Sequence, residues 1–251
     1  MLKSHDLPLH LDASDWWPNG MMESLLSHHD ILLSNNYMEN LIESEPFCSI
    51  AEELNAFILK HKVVGYHCTK ESEKGYFEKC GIRVLDRKNH QNKFLKKFSS
   101  QFSVEDLNLL KQAWESYFSI GQDYGRNGKI WFCLAPDQVI SYGTKDFFTY
   151  FGGEAIYKPI KDYSSITQIL RNIGNPVIVK VAIDPNDLHT FSQVPFAINT
   201  LSLFHQRQNP KAYIHSREGY LMHDVTPNEI ICVTPKDSFF SDSSEIYYNK
   251  S

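Results

Sequence analysis

The sequence is defined first by what it lacks. It contains no GxGxxG, no P-loop, no HExxH and no GxSxG. The common dinucleotide, nucleoside-triphosphate, zinc-protease and serine-hydrolase signatures are therefore missing. No run approaches the ~18 consecutive apolar residues of a membrane span. The opening residues, Met-Leu-Lys-Ser-His-Asp, form no apolar signal core. The five cysteines, Cys48, Cys68, Cys80, Cys133 and Cys232, are odd in number and never spaced as CxxC. That pattern speaks against a secreted disulfide scaffold and against a zinc site. His28 and His29 are adjacent, so their side chains diverge on a helix and read as surface rather than as metal ligands. Positive charge is also scarce. Lys and Arg number 25 against 30 Asp and Glu, a formal charge of -5, so any nucleic-acid contact has to be local. No internal repeat is present. These absences lead us to expect a cytoplasmic protein with no membrane segment and no metal.

What is present fits one large domain or a domain with an appendage. The 251 residues are 42% hydrophobic, enough to bury a core. Met21 to Leu33 carries apolar residues at helical spacing. Ser49 to Lys60 reads as a helix with Ile50, Leu54, Phe57 and Ile58 on one face, capped by Ser49 with Glu52 at the capping-box position. Residues 1–60 are accordingly read as a helical N-terminal appendage, and residues 61–251 as the main domain. In the latter, strands are expected at 62–68, Lys129–Leu134, Pro176–Asp184, Gly219–Val225 and Ile230–Val233. Helices are expected between the first strand and Gly81, which suits a helix C-cap, and from Ser103 to Phe118. Gly121–Gly128 reads as a turn-rich link and residues 185–214 as a long connector. Strands scattered among helices without regular alternation indicate an α+β fold.

Three stretches carry chemistry. The first is Lys62-Val-Val-Gly-Tyr-His-Cys-Thr69, in which His67 and Thr69, two residues apart on a strand, share a face. The second is Gly128-Lys-Ile-Trp-Phe132, with Tyr142 about ten residues on. The third is Arg217-Glu218-Gly-Tyr-Leu-Met-His-Asp-Val225, where a glutamate leads into a strand. Their order and spacing resemble the ADP-ribosyltransferase superfamily, in the His–Tyr–Glu branch typified by diphtheria toxin and the poly(ADP-ribose) polymerases. That family reads His-Gly-Ser or His-Gly-Thr on its first strand, then Gly-x-Ile-Tyr-Phe followed by a stacking tyrosine, then a glutamate opening a strand. The resemblance covers roughly residues 62–235. Here Cys68 replaces the usual glycine. Tyr150 and Tyr157 rival Tyr142 for the aromatic role, and Glu154, after Gly152-Gly153, rivals Glu218.

The resemblance implies a split β-sandwich that uses NAD as co-substrate. By it, His67 hydrogen-bonds the adenosine-side ribose, Thr69 the nicotinamide-side ribose, and Cys68 meets nicotinamide through its backbone. Tyr142 stacks on the nicotinamide ring, and Glu218 stabilises the positive charge that develops on the sugar. The residue types suit the chemistry. The leaving group is already a cationic pyridinium and needs no general acid, so one carboxylate near the ribose suffices, unlike ordinary glycoside hydrolysis. Arginine-modifying members often carry Glu two residues before the catalytic Glu; Ser216 stands there, which speaks against an arginine acceptor. The approach to Glu218 offers Lys211, Tyr213 and Arg217, cations with an aromatic that suit phosphate contact and base stacking. The expected function is transfer of ADP-ribose to a macromolecule, nucleic acid rather than protein. By analogy this fits a bacterial toxin, effector or phage-defence enzyme, with residues 1–60 docking a partner or antitoxin. The rival readings are a protein-modifying transferase, an NAD glycohydrolase and a non-catalytic binding module.

Overall fold

The computed structural model describes residues 7–119, 125–190 and 196–241. Residues 121–124 of the turn-rich link therefore lie outside the described residues. The elements run α1 (Met21–Leu26), α2 (His29–Ser34), α3 (Met38–Leu41), α4 (Phe47–Ile58), β1 (Val63–Glu71), α5 (Tyr76–Cys80), α6 (Arg87–Phe98) and α7 (Val104–Ser119). They continue with β2 (Ile130–Cys133), α8 (Pro136–Val139), α9 (Lys145–Thr149), α10 (Glu154–Tyr157), α11 (Ser164–Asn172), β3 (Asn175–Ile183), β4 (His189–Thr190), α12 (Phe196–Gln208), β5 (Glu218–Leu221) and β6 (Ile230–Pro235). The fold is α+β, with a six-stranded antiparallel open sheet in the order β4–β5–β2–β1–β3–β6. Among the described residues no helix is long and apolar enough to cross a membrane.

The chain divides into two compact units, Met1–Gly65 with Ala182–Gly219, and Tyr66–Val181 with Tyr220–Ser251. In the first, the N-terminal helices pack on α12, which lies inside the stretch expected to be a connector. Its sequence hides it. Ala197, Ile198, Leu201 and Phe204 are buried, but so are Asn199, Thr200, Ser202 and His205. A helix covered on several sides shows no clean apolar stripe. Helix α4 buries Phe47, Ile50, Ala51, Leu54 and Ile58. Ser49 does not cap it; its hydroxyl bonds the Glu45 carboxylate at 2.8 Å. Helix α2 ends abruptly, leaving carbonyls that α12 satisfies from outside. His205 Nε2 donates to the Leu32 carbonyl at 2.8 Å, and Asn209 Nδ2 donates to Asn35 at 2.7 Å and to Leu32 and Leu33 at 3.3 Å.

In the second unit, Tyr66 pairs with Cys133 across β1 and β2, and Val177 to Val181 pair with Pro235 to Ile230 across β3 and β6. A helical core lies beside these strands: Phe94, Phe98, Leu110, Trp114, Tyr150, Ile156, Tyr157, Ile160 and Leu170 pack together. Helix α6 was not apparent in its basic sequence. Asp86 caps it by accepting from the Asn89 N–H at 3.1 Å, and it buries Gln91, Phe94 and Phe98. Gly81 does close α5, at φ 70°. A Cβ there would stand 2.0 Å from the Val225 carbonyl oxygen, so close approach as well as the left-handed backbone requires glycine.

Replacing Asn209 with Ala should remove the donor to the Leu33 and Asn35 carbonyls, while His205 still serves Leu32. We expect a loss of about 1–3 kcal/mol of folding stability, the range for orphaned buried polar groups. Urea unfolding of wild type and N209A would measure it; equal midpoints would show that α12 does not hold α2 this way.

Candidate functional site

Strand β1 delivers His67 and Thr69 half-buried on one face, with Cys68 buried between them. The His67 ring lies 5.9 Å from Phe132 on the neighbouring strand. Its Nδ1 stands 2.9 Å from the Trp131 carbonyl oxygen, which can only accept, so Nδ1 carries the proton. In the neutral ring Nε2 is then an acceptor. Burial pushes the imidazole below its ordinary pKa, outweighing the pull of that carbonyl. The Thr69 hydroxyl makes no hydrogen bond among the described residues. Cys68 meets the Cys133 thiol, and that hydrogen bond together with burial holds the Cys68 thiol well above the usual range. Cys68 is thus a poor nucleophile, and what it can offer a ligand is backbone.

Strand β2 follows a tight turn. Gly128, at φ 72°, donates to the Leu85 carbonyl at 2.7 Å and sets up Trp131. The Trp131 indole donates to the Gly125 carbonyl at 3.2 Å. Arg126 lies over its ring at 4.6 Å, and Tyr220 packs against it at 4.8 Å. Lys129 caps the Tyr220 ring at 4.4 Å. This cation–aromatic stack was not anticipated; the only signal was Trp131 itself, standing where the family pattern has tyrosine.

Glu218 opens β5, half-buried, and alternation puts it on the same face as Tyr220. Its carboxylate makes no hydrogen bond among the described residues. Gly219 follows it, where a Cβ would stand 3.0 Å from the His189 carbonyl oxygen, a tight approach. Tyr142 begins a short 3-10 turn, Tyr142–Thr144, and its side chain lies outside the described residues. The rival aromatics are core groups. Tyr150 is buried, stacks on Tyr157 at 5.2 Å and accepts from Arg171 at 3.1 Å. Burial and the Glu154 carboxylate push the Tyr157 phenol far up. Glu154 is itself paired with Arg126 at 2.5 Å and Lys158 at 3.2 Å.

The stretch before Glu218 is tied to the N-terminal segment of the same unit. The Tyr213 N–H donates to the Asn36 carbonyl at 2.7 Å, and its ring, 51% exposed, lies 6.0 Å from Tyr37. His215 pairs with Glu39. Lys211 is exposed, whereas Arg217 is only 4% exposed, so two of the three cation and aromatic residues expected to meet an acceptor stand at the surface. No group of three or more His, Cys, Asp or Glu side chains arranged to hold a metal occurs among the described residues.

No protein-family model, no curated protein and no solved structure matches this chain.

Two histidines tie this region to pH. His90 Nε2 donates to the Gly152 carbonyl at 2.9 Å, and burial, with help from Lys93, lowers its pKa as burial lowers that of His67. Both rings are held neutral in the fold, while unfolded they titrate near 6.5. Their contribution to stability is thus full above about pH 6.5 and is lost as pH falls through the lower folded values. The urea midpoint should fall as pH drops below about 6.5, and H67Q/H90Q should flatten that slope. An unchanged slope in the double variant would contradict the assignment.

Proposed function

We propose that this chain is an NAD-dependent ADP-ribosyltransferase on a split β-sandwich, moving ADP-ribose to a macromolecular acceptor. The strand order carries the reading: the stretches holding His67, Trp131 and Glu218 are far apart in sequence yet occupy consecutive strands, β1, β2 and β5. The state of each group fits the task. His67 offers Nε2 to accept from a ribose hydroxyl, and Thr69 offers a hydroxyl with no competing hydrogen bond among the described residues. Glu218 offers a carboxylate likewise uncommitted, and Tyr142 is assigned to the nicotinamide ring.

In the reaction the ribose–nicotinamide bond breaks and its electron pair leaves with the ring nitrogen, so nicotinamide departs neutral. The acceptor's nucleophile bonds to the same ribose carbon and loses a proton. Glu218 holds a sugar hydroxyl and opposes the positive charge growing on the ribose; a half-buried carboxylate does this more strongly than one in bulk water. His67 and Thr69 orient the two sugars, which lowers the entropy cost of reaching the reactive geometry. For the acceptor we favour nucleic acid. Lys211 and Tyr213 are exposed, and Tyr37 beside Tyr213 adds a second exposed ring suited to base stacking.

Labelled NAD incubated with the protein and whole lysate, followed by separate protease and nuclease digestion, tests the class and the acceptor together. Label released by nuclease alone is expected. Label released by protease alone would make the acceptor a protein, and free ADP-ribose without labelled macromolecule would make the chain a glycohydrolase. Glu218→Gln should lower turnover by at least ~100-fold while NAD binding changes little. His67→Ala should weaken NAD binding by about 1–3 kcal/mol. Turnover in E218Q close to wild type would show the carboxylate is misassigned.

A further inference from the structure

Beside the Arg126–Trp131–Tyr220 stack lies a cleft of about 230 Å³, lined among others by Arg87, Tyr117, Arg126, Asn127, Glu154 and Lys158. Its chemistry is one-sided. Among the described lining residues, Arg126 and Lys158 share one carboxylate, Glu154. That carboxylate takes Arg126 Nε on one oxygen and Lys158 Nζ on the other. The terminal nitrogens of Arg126 make no hydrogen bond among the described residues. Nor do the Tyr117 hydroxyl and the Asn127 amide nitrogen, although the Asn127 carbonyl oxygen accepts from the Arg87 backbone N–H at 3.0 Å. Among the described residues the cleft therefore holds uncommitted donors on Arg126, Tyr117 and Asn127, a set that suits an oxyanion.

The guanidinium groups are also held in place. Arg126 rests on Trp131 at 4.6 Å and Arg87 on Phe118 at 4.4 Å. With its face on the ring, Arg126 keeps its terminal N–H edge for oxygen acceptors, and little rotamer freedom remains to be surrendered on binding. The volume is below the roughly 300–1,000 Å³ of pockets that enclose drug-sized ligands, which matches a phosphate and part of its sugar rather than a whole dinucleotide.

We propose that this cleft is a phosphate-binding subsite, taking the phosphate of a nucleotide or of a nucleic-acid backbone. It goes beyond the transferase reading and does not rest on it. Glu154 is then an orienting group that fixes Arg126 and Lys158 and competes with the bound anion for them.

Calorimetric titration of the full chain with 5′-AMP, adenosine and a short oligothymidylate tests this. To keep the transferase site out of the readout, each titration is repeated in His67→Ala. The phosphate-bearing probes should bind and adenosine should not, with binding retained in H67A. Arg126→Gln with Lys158→Gln should weaken AMP binding by ~10-fold or more, the scale of removing charge-assisted hydrogen bonds. Glu154→Gln should tighten it, an outcome that a purely structural ion cluster does not give. If the phosphate comes from nucleic acid, the oligonucleotide binds more tightly than AMP. Its log–log salt slope then flattens in the double variant by roughly 0.7 for each backbone phosphate that is no longer neutralised. Tighter binding of AMP than of the oligonucleotide assigns the cleft to a free nucleotide. Equal binding of AMP and adenosine, or AMP binding that vanishes in H67A and survives R126Q/K158Q, would overturn the proposal.

Discussion

The hydrogen bond from His67 to the Trp131 carbonyl does two things at once. It ties the side chain of β1 to the backbone of β2, and it places the ring proton on Nδ1. A histidine held this way faces a ligand as an acceptor, and its lowered pKa keeps it neutral around pH 7. The role proposed for His67 follows from that state. In the role proposed for it, a protonated His67 ring would no longer accept from a ribose hydroxyl.

The same device recurs through the fold. Short helices and tight turns leave many backbone carbonyls without intrahelical partners, and buried polar side chains meet them. His90, Gln91 and Trp114 donate to the carbonyls of Gly152, Ala155 and Ile156. Lys70, 5% exposed, reaches the Arg171 carbonyl at 2.6 Å near the end of α11, where a cation complements the helix dipole. His205 and Asn209 do the same for α2. These polar groups hold the irregular segments that surround the strands, including the Gly152–Tyr157 stretch from which Glu154 reaches the cleft.

This device also decides what could be read in advance. Elements with clean periodicity were legible. Pro176–Asp184 became Asn175–Ile183, Lys129–Leu134 became Ile130–Cys133, and Ser103 does accept from the Asp106 N–H at 3.0 Å at the start of α7. Helices α6 and α12 were not, because each buries polar residues that pair with distant backbone. At the site, alternation put His67 and Thr69 on one face of a strand; that both are half-buried with Cys68 buried between them is read from the structure. The burial of Arg217 was hidden, since an arginine in a polar stretch reads as solvated. The Arg126–Trp131–Tyr220 stack was hidden too, because Tyr220 comes from far along the chain, and no local pattern announces a contact of that kind.

The most direct test is nitrogen-detected NMR of the imidazoles, with His67 assigned by comparison with His67→Gln, during titration with NAD. The account predicts that His67 is neutral at pH 7 with its proton on Nδ1, and that Nε2 shifts saturably as NAD binds and accepts a ribose hydroxyl. An Nε2 resonance that stays put through saturating NAD, or a ring protonated on both nitrogens at pH 7, would contradict it.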